Sequence, residues 1–184
     1  MPTNPKGYKP KTSRPKYPLS VENQRKLIEK ADKPLKALIV FILSTGAHPS
    51  VLTDKKHNLD LSDDEHYSWN RPKTRKRVMF SWSKAMLKGS LYKELRRFKK
   101  KKPNACWYLL SVLGGDLKIK GVCPLQLRHT HFANMARLGY DLFTIAGRSG
   151  TSIDTIQQFY ALGMGEMKRL SEDDRKYLEW LMEA

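Results

Sequence analysis

Apolar positions fall at helical spacing from the twentieth residue onward. Ser20 offers an N-cap with Glu22 in the first turn, and Leu27 and Ile28 mark an apolar face that ends near Asp32-Lys33-Pro34. A second helix follows with Leu35, Leu38, Ile39 and Ile42 in register, and Gly46 is its natural stop. Positions 37–43 are apolar all round, so this helix is expected in the core. The pattern then changes. Segments 57–61, 66–71 and 76–82 are short and strand-compatible, with Val78 and Phe80 on one face and Pro72-Lys73-Thr74 as a turn. Helical spacing returns over 83–99 (Met86, Leu87, Leu91, Leu95) and, briefly, over 107–113 before Gly114-Gly115.

Pro124 opens another helix, carrying Leu127, Phe132, Met135, Ala136 and Leu138 and stopped by Gly139. Asp141 caps a short helix through Ile145, and 147–152 reads as a turn. Ile153, Ile156 and Tyr160 share a face on the next helix. Ser171-Glu172-Asp173-Asp174 begins a last amphipathic helix with Tyr177, Leu178 and Leu181 apolar. The class expected is α+β, mainly α-helical, with a small antiparallel sheet or hairpin of two or three strands.

With 184 residues the chain fits one domain with a tail, and at 40% hydrophobic residues it can fill a core. We divide it into a basic, proline-rich arm over 1–18, a main domain over 19–170 and a terminal helix over 171–184. The arm holds five prolines and Lys6, Lys9, Lys11, Arg14 and Lys16 with no acid; it is either a solubilising tail or a strand that follows phosphates, Lys11 and Arg14 being candidate contacts. Overall, 35 Lys and Arg against 18 Asp and Glu give a formal charge of +17. Such a surface attracts polyanions, double-stranded DNA first among them, with a ribosome-like or membrane-surface protein as the bland alternative. The longest apolar run is far too short to span a membrane, and no secretory signal is expected. Cys106 and Cys123 cannot make a disulfide framework or a zinc site alone, so an intracellular, DNA-associated protein without metal or cofactor is expected.

Three segments carry chemistry. Leu127-Arg128-His129-Thr130-His131-Phe132 places a cation, two imidazoles and a hydroxyl at a helix start. Arg128 can clamp a phosphate with parallel hydrogen bonds, and His129 and His131 are either DNA contacts or partly buried. Arg71, Lys73, Arg75, Lys76 and Arg77 put five cations on one hairpin, to touch DNA or to blunt a sheet edge. The third segment, Ile153–Tyr160, ends in an aromatic that is either core or nucleophile, and the 141–162 rhythm also suits a helix–turn–helix reader.

The order of these pieces resembles the catalytic domain of the tyrosine recombinase, or phage integrase, family. Ser44-Thr45-Gly46-Ala47-His48 stands where that family has Thr-Gly-x-Arg; Pro72-Lys73-Thr74 stands at its hairpin lysine. Leu125-Gln126-Leu127-Arg128-His129-Thr130 stands at its His-x-Leu-Arg-His-Thr, Gly150-Thr151-Ser152 at its Gly-His-Ser turn, and Tyr160 closes the set. The 32-residue step from Arg128 to Tyr160 and the 11-residue step from Gly139 to Gly150 are close to the family's. The resemblance implies that Tyr160 attacks a DNA phosphodiester, Arg128 neutralises the phosphorane and Lys73 protonates the leaving 5′ oxygen, with no cofactor.

The set is degenerate. His48 replaces the first arginine, Leu125 the second-box histidine and Thr151 the third-box histidine; Arg148, three residues before Thr151, is a candidate substitute cation. The functional readings are therefore an active, divergent strand transferase, a DNA-binding protein of the same fold without chemistry, and an unrelated helix–turn–helix regulator. The helix over 171–183 is expected either to pack on its own domain or to dock on a second copy on DNA, as C-terminal segments of the family often do.

Overall fold

The computed structural model describes residues 17–48, 50–70, 77–98, 103–167 and 169–183. Among them are α1 (Val21–Lys30), α2 (Lys33–Thr45), α3 (Ser50–Thr53), β1 (His66–Asn70), β2 (Arg77–Ser81), α4 (Lys84–Leu87), α5 (Leu91–Glu94), α6 (Pro103–Asp116), α7 (Pro124–Arg137), α8 (Leu142–Ser149), α9 (Ile153–Met167) and α10 (Glu172–Met182). The fold is mainly α-helical with one two-stranded antiparallel sheet, in which Tyr67 pairs with Phe80 and Asn70 with Arg77. The arm residues Lys11 and Arg14 and the hairpin segment 71–76 lie outside the described residues.

At the centre is α2. Asp32 caps it through Leu35 N–H, Pro34 sits in its first turn, and Gly46 ends it in the left-handed region at φ 63°. Every residue from Ala37 to Leu43 is fully buried, as the all-apolar run requires. Around it pack α1, α4, α5, α7 and α10. The sheet lays Tyr67 and Trp69 inward, with the Tyr67 ring 4.3 Å from Trp82 and 5.8 Å from Phe41 of α2.

The entry of the chain is tied to α7 by a buried polar network. Leu19 N–H donates to Thr130 Oγ1 at 2.9 Å. Gln24 and Asn134 exchange two side-chain hydrogen bonds, of 3.1 and 2.8 Å. Arg137 donates to Asn134 Oδ1 at 2.7 Å and pairs with Glu166 of α9. A buried amide or guanidinium is tolerated only when its hydrogen bonds are made, so these contacts fix how α1, α7 and α9 sit together.

Four local expectations are corrected. Residues 57–61 form no strand: Lys55–His57 is a 3-10 turn capped by Asp54, Asn58 leaves it at φ 44°, and Asp60 makes one isolated bridge to Ser68. The helix expected over 83–99 is broken at Gly89 (φ 63°) and Ser90 (φ 54°), so that Met86 before the break and Leu91, Tyr92 and Leu95 after it all reach the core. The helix expected over 107–113 runs through Gly114, where a side chain would meet Val122 at 2.7 Å. Finally, α8 continues past Ile145 to Ser149, with Gly147 on an open face, and Gly150, at φ 65°, is the true stop.

The terminal helix is used in cis. Leu178 and Leu181 of α10 are fully buried, and the helix packs on α2 and α4. Lys84 N–H donates to Glu183 O at 2.8 Å, and Arg25 lies over the Tyr177 ring at 4.3 Å while reaching Asp173 at 2.8 Å. The apolar face expected to dock on a second copy therefore covers this chain's own core.

Candidate active site

The site is built where the end of α2 meets the first turns of α7. Pro124 fixes the first φ of α7, and the Cys123 sulfur accepts the Gln126 N–H at 3.4 Å as its cap. One turn later Arg128 reaches across to donate from Nη1 to the Gly46 carbonyl. Its guanidinium also lies over the Phe132 ring, 5.3 Å from the centroid. Burial lowers the Arg128 pKa to about 10, which leaves it cationic at neutral pH. Gly46 is required twice. Its φ is left-handed, and a Cβ there would sit 2.4 Å from His131 Cδ2.

Two residues further on is His48, on the exposed rim. Desolvation, then Arg128, then His57 push its pKa below the ordinary histidine value. Its Nδ1 accepts from the Ser50 N–H at 3.2 Å and lies 2.9 Å from Ser50 Oγ. Ser50 Oγ in turn is 3.0 Å from His57 Nε2, and His57 Nδ1 donates to the Asn70 carbonyl at 3.2 Å. The rim of the first box is thus linked to the last residue of β1, where the segment bearing Lys73 begins. Neither Ser50 nor His57 stands out in the sequence, because the turn at 55–57 and the end of β1 are thirteen residues apart and meet only in the fold.

Arg148, on the last turn of α8, lies 5.0 Å over the Tyr140 ring. It also lines a cavity of about 380 Å³ with Ser44, Thr45, Tyr67, Trp69 and Phe80. Besides burial, the charges of Arg128 and Arg148 both disfavour a proton on the His131 ring. Thr151 is half-buried in the turn between α8 and α9. Tyr160 is half-buried on α9, next to Phe159, whose ring stacks on His129 at 4.0 Å. Contacts advance together along α7 and α9, Phe159 with His129 and Gly163 with Ala133, so the helices run in the same sense. Tyr160 therefore sits on the helix that packs beside the start of α7, one position from the ring that touches Arg128's neighbour.

Two expected DNA contacts are corrected. His131 is 1% exposed and His129 9%, too little to reach a groove. His131 Nδ1 donates to Leu43 O at 2.8 Å, and burial depresses its pKa to about 3, so it is a neutral pin between α7 and α2. Arg77 is exposed at the first position of β2, 3.1 Å from Asp60. Lys73, Arg71, Arg75 and Lys76 lie outside the described residues. The helix that would be the reader in the helix–turn–helix reading, α9, buries Ile156, Phe159 and Gly163 and carries no Lys or Arg. No group of three or more His, Cys, Asp or Glu among the described residues is placed to hold a metal ion. No described helix is long and apolar enough to cross a membrane.

No protein-family model matches the sequence, and no curated protein matches it. Solved structures do match the fold. The XerA recombinase superposes with a TM-score of 0.64 at 21% identity, over 84% of this chain and 65% of that one. The XerH site-specific recombinase in a post-cleavage complex with its palindromic difH substrate gives 0.60 at 16%, over 83% and 52%. The Tn1549 transposon integrase, in complex with a circular intermediate DNA, gives 0.57 at 18%, over 86% and 67%. The chain thus has the fold of tyrosine recombinase catalytic domains and spans about two thirds or less of the XerA and XerH chains.

Proposed function

We propose that this chain is a recombinase-like protein that binds duplex DNA and cuts and rejoins it through a phosphotyrosine at Tyr160. The observation that carries the reading is the anchoring of Arg128 on the Gly46 carbonyl, which brings the first and second boxes together beside His48. In this reading the Tyr160 hydroxyl releases its proton to water and its oxygen attacks phosphorus. The bond from phosphorus to the 5′ oxygen breaks, and the leaving oxygen takes a proton, a role that fits Lys73. The released 5′ hydroxyl later attacks the phosphotyrosine and restores the phosphodiester, so no high-energy cofactor is consumed. Arg128 faces the non-bridging oxygens as charge builds on them. Arg148 is a second candidate cation, and Thr151 lines the turn that leads to the Tyr160 helix.

The test is a nicked duplex that traps the covalent complex. Wild type should form a protein–DNA adduct stable to denaturation, and Tyr160→Phe should form none while binding the duplex equally well. Adduct in the Phe variant, or none in wild type, sinks the chemistry. A second reading, DNA binding without cleavage, is favoured by one specific feature: His48 offers at most one outward N–H where an arginine fork offers several donors. Binding by wild type with no adduct at any pH selects that reading.

A further inference from the structure

Among the described residues three guanidiniums lie over aromatic rings, and they are held in two ways. Arg25 lies over Tyr177 and also pairs with Asp173 and Asp174, at 2.8 and 3.3 Å. Arg128 lies 5.3 Å from the Phe132 centroid and Arg148 5.0 Å from that of Tyr140, and neither forms an ion pair with a described carboxylate. Glu183 lines the same cavity as Arg148 without pairing with it. A carboxylate holds an arginine by neutralising it. A ring holds it through its quadrupole and leaves the charge and the fork of N–H donors for another anion. Both of these charged forks border one segment. Arg128 donates to the Gly46 carbonyl, and Arg148 shares a cavity wall with Ser44 and Thr45, the two residues before Gly46. Both charges also weigh against a proton on the buried His131 ring. Like charges gathered around 44–46 without an acid repel each other until an anion arrives.

The ring under Arg148 is itself fixed. Gly139 turns the chain at φ 89°, and the Tyr140 N–H donates to Met135 O at 3.0 Å, so the Tyr140 backbone is tied to the end of α7. Asp141 then starts α8, and Arg148 stands on the last turn of that helix. Side chains lean toward the N-terminus of their helix, which carries Arg148 back over the ring. Arg148 is exposed, so without the ring its long side chain would sample many rotamers in solvent. Building on the function read above, we propose that Tyr140 is a positioning residue, whose ring holds Arg148 as a second charged fork for the phosphate that Arg128 meets. His48 offers no such fork in the first box, and Arg148 brings one to that box from α8.

The experiment measures the single-turnover rate of adduct formation by the full chain on the nicked duplex, at saturating DNA and fixed salt. Arg148→Ala should slow it by about 10²–10³-fold. Tyr140→Leu removes the quadrupole and should slow it by about three- to tenfold. Tyr140→Phe keeps the ring and should restore the wild-type rate. In the Arg148→Ala background, Tyr140→Leu should slow the reaction no further, because Tyr140 acts only through Arg148. A purely structural effect of Tyr140→Leu would recur in both backgrounds. Equal slowing in both, or a wild-type rate in Arg148→Ala, overturns the proposal. If wild type binds duplex but forms no adduct, cleavage has failed and the log–log salt slope of binding decides. Arg148→Ala should then lower the slope by about 0.9, and Tyr140→Leu should weaken binding only where Arg148 is present; an unchanged slope ends the proposal. If wild type binds no duplex, the functional reading has failed, and inorganic phosphate is the probe. The Arg148 side-chain nitrogen signal should shift on adding phosphate, and less so in Tyr140→Leu; no shift in wild type ends the proposal.

Discussion

Two stretches of polar sequence meet at Gly46, and they are built in opposite ways. On α7, from Arg128 to Arg137, the polar residues face inward. Thr130, His131, Asn134 and Arg137 are each 2% exposed or less, and each bonds to another element or to its own backbone. In the turn after α2, the polar residues face the rim. His48 is exposed, Ser50 is half-buried, and their bonds run toward the end of β1. The first stretch is the one that most resembles a recombinase motif, yet most of it holds helices together, and only Arg128 turns to the site. The second resembles the family least, and its polar side chains are linked to one another at the rim. A motif can recur because a fold needs it, so the resemblance on α7 speaks for architecture more than for activity.

The comparison can be broken at its strongest point by Asn134→Ala. This leaves Gln24 and Arg137 each short of a buried partner, at about 1–3 kcal/mol per group. Chemical denaturation should show a loss of that size, with DNA affinity of the folded fraction unchanged. A large loss of affinity with intact stability would mean that α7 faces DNA after all. Next in size is Arg128→Ala. It should slow adduct formation by about 10²–10³-fold, the usual result of removing a donor aimed at developing charge. Single-turnover rates on the nicked duplex check it, and a fall in melting temperature matching that of Asn134→Ala would move Arg128 to the structural side.

His131 sharpens the comparison through pH. Its folded value is depressed to about 3, whereas the unfolded chain takes up the proton near the ordinary 6.5. The unfolded state therefore binds more protons over that interval, and stability falls as pH drops from about 6.5 toward 3. His131→Asn should be less stable at pH 7 and should show a shallower loss between pH 6.5 and pH 4, read from melting temperatures. An equal slope in both proteins would show that the ring is not a buried neutral pin. The smallest effect belongs to Arg77→Ala, on the exposed strand at the hairpin base. If Arg77 meets a phosphate, the log–log salt slope of DNA binding should lose about 0.9. An unchanged slope assigns Arg77 to Asp60 alone.

Helix existence was legible wherever the local code was complete. Ser20, Pro124, Asp141 and Ser171 each begin a helix, and Gly46 ends one. These are contacts within a few residues, and sequence carries them directly. Two of the misread segments are ones that a distant partner shapes. Gly114 stays helical because Val122 packs where its side chain would be, and 83–99 breaks so that both halves reach one core. The use of α10 also lay beyond the pattern, since an amphipathic face reads the same whether its partner is its own core or a neighbour.

By itself the sequence determined the positive charge, the helical class and the order Arg128 then Tyr160 along the chain. Each of these is a property of composition or of local spacing. Only the tertiary structure decided that His129 and His131 are interior, that Arg128 is held by the Gly46 carbonyl, and that His57 reaches His48 through Ser50. Burial and hydrogen-bond partnership depend on what the fold brings near. A histidine in a basic segment reads alike as a DNA contact or a helix pin until its neighbours are known.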